Sequence, residues 1–179
     1  MLCDTRVKHS LVDSEYNMRR MECEEGVAAL KKHYPRVQSL RDVSANMLEA
    51  HRGALQGKVY QRCLYVVEEI SRVQEAREIL GRGDLVAFGK KMFETHEGLS
   101  ALYEVSCPEL DFLVSEARKF PAVIGARMMG GGFGGCTINL VQRSAVESFI
   151  EQITSRYKTA FDIDMPTYQV NIADGVGIV

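Results

Sequence analysis

The sequence predicts an α+β fold, with helices on one face of an antiparallel sheet and an added helical hairpin. Three observations carry that expectation. Two long segments with apolar residues recurring at threes and fours, 59–80 and 85–103, are separated only by "GRGD" at Gly81–Asp84. From Ser106 onward the chain reads helix, strand, glycine loop, strand, helix, strand. A length of 179 residues at 46% hydrophobic content suffices for one sizeable core.

Leu2, Cys3 and Val7 suit a strand, but no preceding element is present to pair with it. Residues 1–12 are therefore expected to be a remnant strand and linker from an N-terminal domain, and 13–179 the domain proper. "SEYNMRRMECEEGVAALKKHY" reads as a helix with Tyr16, Met21, Val27, Ala28 and Leu30 on its apolar side. Asp13 or Ser14 would cap it and Pro35 would end it. A shorter helix follows Ser44 and stops at Gly57. Val59, Cys63, Val66, Val67, Ile70, Val73 and Leu80 define the apolar face of the next helix. Leu85, Phe88, Met92, His96 and Leu99 do so for its partner, giving an antiparallel hairpin. Ser106 with Glu109, and Ser144 with Glu147, have capping-box spacing at the starts of two further helices. "AVIGARMM" and "CTINLV" are strand-like, and "PTYQVNIA" reads as the last strand.

A formal net charge of -2 with 26% charged residues gives no basic excess to recruit nucleic acid or an anionic membrane. No apolar run is long enough to span a bilayer. Cys3, Cys23, Cys63, Cys107 and Cys136 are widely spaced without a CxxC pair, and the four histidines are scattered. That pattern suits free thiols in a reducing cytoplasm rather than zinc or disulfides.

"RMMGGGFGGCTINLV" concentrates Gly130, Gly131, Gly132, Gly134 and Gly135 around Phe133. Gly130, Gly132 and Gly135 satisfy G-x-G-x-x-G, yet a strand-like segment follows instead of the helix that a dinucleotide fingerprint needs. No Gly-Lys-Ser/Thr follows either, which excludes a P-loop. What remains is a glycine-rich turn between two strands. It is either a bulged hairpin end or a loop that another backbone or a ligand approaches too closely for side chains.

This segment resembles the third conserved motif of the GHMP kinases, in the form that galactokinases carry. Val7–Glu24 ("VKHSLVDSEYNMRRMECE") and Tyr103–Asp111 ("YEVSCPELD") resemble two further galactokinase segments, in the right order. The similarity runs over nearly the whole chain, which matches the C-terminal half of that family. The resemblance implies a ferredoxin-like C-terminal domain. It also implies transfer of the γ-phosphoryl group of MgATP to the anomeric hydroxyl of galactose.

By the same resemblance, Tyr16 is the sugar-contacting tyrosine. On residue chemistry alone it could equally be a packed helix-face tyrosine. The five glycines lie against the active site, their principal partner expected in a domain outside this chain. Lys8 is an active-site neighbour that helps keep a catalytic aspartate ionised, or else a solvated lysine. His9 and His96 read as structural, and Arg19 and Arg20 as part of a solvated helix face. No catalytic residue and no metal ligand is assigned to this chain. The family's Ser-rich phosphate loop, catalytic arginine and aspartate have no counterpart in this sequence, so galactose, ATP and Mg²⁺ would be held mainly by the N-terminal domain. The 179 residues alone are expected to be inactive, and surface meant for that domain invites self-association. A galactokinase-like sugar and nucleotide sensor, or a non-catalytic remnant module, are the alternative readings.

Overall fold

Among the described residues a short strand, five α-helices, two strands, an α-helix and a last short strand follow one another, an α+β succession. The computed structural model describes residues 1–7, 12–171, 173 and 177. The strands are β1 (Leu2–Asp4), β2 (Val123–Met128), β3 (Cys136–Val141) and β4 (Thr167–Tyr168). The helices are α1 (Val12–Lys31), α2 (Ala45–Ala50), α3 (Val59–Gly81), α4 (Leu85–Ala101), α5 (Pro108–Arg118) and α6 (Val146–Phe161). The sheet order is β2-β3-β1-β4 with every neighbouring pair antiparallel. β1 and β2 therefore run in the same direction with β3 between them, the split β-α-β arrangement of ferredoxin-like sheets.

The division expected at residue 12 is not where the sheet divides. β1 pairs with β3 through Leu2–Ile138, Cys3–Thr137 and Asp4–Cys136. On its other edge it pairs with β4 through Leu2–Tyr168 and Cys3–Thr167. A strand bonded on both edges cannot leave without exposing two ladders, so Leu2–Asp4 is integral to the domain. The sequence left it unpartnered because its partners lie at the far end of the chain.

α5 and α6 cover one face of the sheet. Leu113, Ala117, Phe149, Ile153 and Tyr157 meet Cys3 and Ala126 there in one buried cluster. A second cluster joins α1, α2 and α3 through Leu30, Leu48, Val59, Cys63 and Val67. α4 links the two layers by lying along β2, an edge strand. Glycine is required at that contact: a Cβ on Gly89 would collide with the Ile124 carbonyl, and one on Gly125 with the Gly89 backbone. Gly83, at φ 72°, turns the chain between α3 and α4. Asp84 then caps α4, its carboxylate accepting the Ala87 N–H at 2.9 Å.

Several local expectations are corrected. α1 starts at Val12, so Asp13 and Ser14 lie inside it rather than capping it. Cys107, not Ser106, precedes the first turn of α5 and makes no side-chain cap. The Ser106 hydroxyl instead donates to Asp111 at 2.6 Å. Ser144 falls in a 3₁₀ turn, Arg143–Ala145, and α6 also starts without a side-chain cap. Ser44 does cap α2, but a 3₁₀ turn at Arg52–Ala54 intervenes before Gly57. β4 is only two residues long.

Tyr16, Met21, Val73, Leu80 and Leu85 are exposed, although their spacing places them on apolar faces. Periodicity says which side of a helix is apolar, not whether another element reaches it. From Glu15 to Lys31 of α1, the part whose side chains are described, the buried positions are Arg19, Gly26 and Leu30. The contact with α3 is built on a small residue, Gly26, where a Cβ would strike Cys63 Sγ, while the buried Arg19 binds the Tyr103 and Glu104 carbonyls. Neither registers as hydrophobic.

Gly89→Ala tests the helix-to-edge contact. Alanine favours a helix interior by about 1 kcal/mol, but the collision is with backbone, which no rotamer change relieves. We expect a net loss of about 1–3 kcal/mol in urea unfolding. Gly53→Ala, where nothing lies within 4 Å of the new Cβ, should change stability by less than about 0.5 kcal/mol.

Candidate functional site

The loop Met129–Gly135 closes the β2–β3 hairpin, with the Met129 N–H donating to Cys136 O at 3.0 Å. Gly130, Gly132, Gly134 and Gly135 have φ of 80°, 88°, 136° and 81°, values that L side chains rarely adopt. Gly132 and Gly134 also lack room. A Cβ on Gly132 would collide with the Val105 carbonyl, and one on Gly134 would lie 2.5 Å from Val7 O. Close backbone approach is thus the reason for these two glycines, but their partners lie within this chain. Gly130, Gly131 and Gly135 are exposed, with nothing within 4 Å of a Cβ. Gly131 has neither a positive φ nor a neighbour to require glycine.

Phe133 fixes the loop twice over. Its N–H donates to Val105 O at 2.7 Å. Its ring packs on Val105, Cys107, Leu110 and Met128. At φ 58° it is a non-glycine residue in the left-handed region, held there by these contacts. The far end of the loop is held by Thr5, whose N–H and hydroxyl both donate to Gly135 O, at 2.9 and 2.7 Å. Thr5 is in turn fixed by the Tyr157 hydroxyl, which donates to its carbonyl at 2.9 Å.

Val105 belongs to the turn between α4 and α5, and two buried arginines hold that turn. Arg19 of α1 donates from Nε to Tyr103 O at 2.7 Å and from its terminal nitrogen to Glu104 O at 3.0 Å. Arg62 of α3, 2% exposed, pairs with Glu22 at 3.0 Å and with Glu104 at 2.8 Å, and also donates to Leu102 O. Hydrogen bonds from Arg62 and Lys58 pull the Glu104 carboxyl down to about 2. Arg19 is therefore not on a solvated face; only Arg20 is, paired with Glu24. Arg62 escaped the sequence reading, although a charged residue between Val59, Cys63 and Val66 on an apolar stripe was a usable signal.

Tyr16 lies three residues before Arg19 on α1, and its side chain is 53% exposed, so its ring is not part of the core. Burial pushes the Tyr103 hydroxyl up, and Tyr16 and Arg19 both act on it electrostatically as smaller influences. The tyrosine helix, the 103–105 turn and the glycine loop are thus one connected assembly. Lys8 and His9 lie outside the described residues. All five cysteines are free thiols, and burial pushes Cys107 up to about 11 and raises Cys136 as well. Among the described residues no group of three or more His, Cys, Asp or Glu could hold a metal ion. Among them, too, no helix is long and apolar enough to cross a membrane.

Residues 73–159 match the GHMP kinases C terminal family. Together with the split β-α-β sheet, that match defines a GHMP kinase C-terminal domain. Over its whole length the chain corresponds to the C-terminal part of galactokinases. It is 40% identical over 179 residues to a galactokinase of Roseiflexus sp. (strain RS-1), covering 100% of this chain and 46% of that protein. It is 45% identical over 157 residues to the galactokinase of Bos taurus, covering 88% and 39%. The crystal structure of Lactococcus lactis galactokinase complexed with galactose superposes with a TM-score of 0.87 at 30% identity, covering 93% of this chain and 43% of that one. The chain spans about half the length, or less, of the relatives it matches.

The Glu104 pairs carry a pH signature. A carboxyl whose folded value is depressed contributes stability above its unfolded value and loses it as pH falls through the folded one. Stability should therefore fall between about pH 4.5 and about pH 2. Glu104→Gln should be less stable at pH 7 and should flatten that part of the curve, measured by urea unfolding at successive pH values. An unchanged acid limb would rule the pairs out as its cause.

Proposed function

We propose that this chain is the C-terminal domain of a cytoplasmic galactokinase, an enzyme that moves the γ-phosphoryl group of MgATP onto the anomeric hydroxyl of galactose. The observation that carries the reading is the physical joining of three galactokinase-like segments. Val7 lies against Gly134, Arg19 binds the 103–105 turn, and that turn binds Phe133. Similarity of nearly the whole chain to the C-terminal part of galactokinases supports it.

In this reading Tyr16 offers galactose a phenol for a sugar hydroxyl and a ring for the sugar's apolar face. Its 53% exposure leaves it free for a ligand. Gly130, Gly131 and Gly135 present exposed backbone toward the phosphate-binding region, where side chains would obstruct approach. Lys8 is assigned beside the catalytic carboxylate. MgATP supplies the phosphoryl group and is held by residues outside this sequence. Phosphoryl transfer is mostly positioning and charge stabilisation. A polypeptide of these 179 residues, with no phosphate loop and no catalytic aspartate, should not phosphorylate galactose.

A chimera tests this directly. This chain replaces the matching C-terminal part of the Roseiflexus galactokinase, and ADP release is followed with and without galactose. The chimera should turn over in a galactose-dependent way while the 179-residue chain alone does not. Tyr16→Ala in the chimera should raise the KM for galactose about tenfold or more with a smaller change in kcat, the mark of lost binding. A folded chimera inactive with galactose would reject the reading; turnover by the chain alone would reject its predicted inactivity.

A further inference from the structure

We infer that His96 and Asp111 form a positioning pair that sets the conformation of the glycine loop from the side opposite Thr5; the loop's catalytic meaning rests on the kinase reading above. β2 is an edge strand, so its outward N–H groups need partners or water. Gly89 brings α4 onto that edge at Ile124. His96 is seven residues along the helix, about 10 Å. Met128 is four residues along the strand, about 13 Å. The helix thus delivers the imidazole to the last residue of β2.

There the Met128 N–H donates to His96 Nδ1 at 3.3 Å, in a buried setting. Because Nδ1 accepts, the ring proton of the neutral imidazole sits on Nε2. Nε2 lies 3.2 Å from Asp111 Oδ1 and donates to it. Asp111 also accepts the Ser106 hydroxyl at 2.6 Å and the Ser100 hydroxyl at 3.1 Å. Burial opposes ionisation of Asp111, but these three donors outweigh it and hold its carboxyl below the usual range.

The pair touches the loop from two directions. Met128 enters the loop directly. Ser106 adjoins Val105, the carbonyl that accepts the Phe133 N–H. The same carboxylate that fixes the imidazole therefore fixes the turn on which the middle of the loop rests. Asp111 contacts the imidazole directly, and Glu97 of α4 and Arg118 of α5 are the other charged groups lining the cavity of about 360 Å³ that His96 and Asp111 share.

Two measurements on the 179-residue chain test this. The first is the ¹⁵N spectrum of the His96 ring in the unmodified protein. Nε2 should be protonated and Nδ1 bare; the opposite tautomer would overturn the proposal. The second is amide exchange in His96→Leu and His96→Asn, side chains of the same shape that differ in the acceptor. His96→Leu should speed exchange at Met128 and across Gly130–Gly135 about tenfold or more, while α6 amides keep their protection. His96→Asn places an oxygen where Nδ1 stood and should return exchange to within about threefold of the unmodified chain. Equal behaviour of the two variants would reduce His96 to a space-filling role and sink the inference. If neither variant folds, the tautomer decides. An inactive chimera would leave all these readouts unchanged, so the two readings fail separately.

Discussion

The contact on which the site depends is the approach of Gly132 and Phe133 to the Val105 carbonyl. One glycine has no room for a Cβ there, and the next residue donates its N–H at 2.7 Å. A backbone acceptor positions a loop only as well as it is itself positioned. Val105 sits at the end of a turn containing Glu104, a non-glycine residue at φ 53°. Such a turn persists only where its surroundings over-determine it. Arg19 and Arg62 do this from two different helices, binding the carbonyls of Leu102, Tyr103 and Glu104.

Burying two guanidinium groups is costly. Buried ion pairs often contribute little net stability compared with well-packed apolar residues, and removing one partner is the damaging event. Their use here fits a demand for geometry. An arginine fork offers donors in a fixed plane, so α1 and α3 hold the turn in orientation as well as position. Because Arg19 is one turn from Tyr16, the helix that presents the exposed tyrosine also anchors the support of the glycine loop.

Much of this architecture was legible in the sequence. The α3–α4 hairpin, β2 and β3 were found by periodicity and by glycine punctuation, which are local signals. The glycine loop was legible as a place of close approach. Its partners were not, because Val105 and Val7 reach it only through tertiary folding. β1 was misassigned for the same reason: Cys3 pairs with Thr137, far along the chain. The buried face of α1 was misread because Arg19 and Gly26 look like surface and spacer to a hydrophobicity pattern. The two expected capping boxes failed because Ser106 bonds Asp111 and Ser144 falls in a 3₁₀ turn. Spacing alone cannot rank competing partners for a serine hydroxyl.

The 103–105 turn should couple α1 energetically to the glycine loop. A double-mutant cycle of Arg19→Met and Gly132→Ala, read by urea unfolding, measures that coupling directly. Arg19 bonds the Tyr103 and Glu104 carbonyls and Gly132 lies against the Val105 carbonyl, so the turn connects the two residues. The double variant should depart from the sum of the single variants by more than about 0.5 kcal/mol. Additivity to within about 0.3 kcal/mol would contradict it.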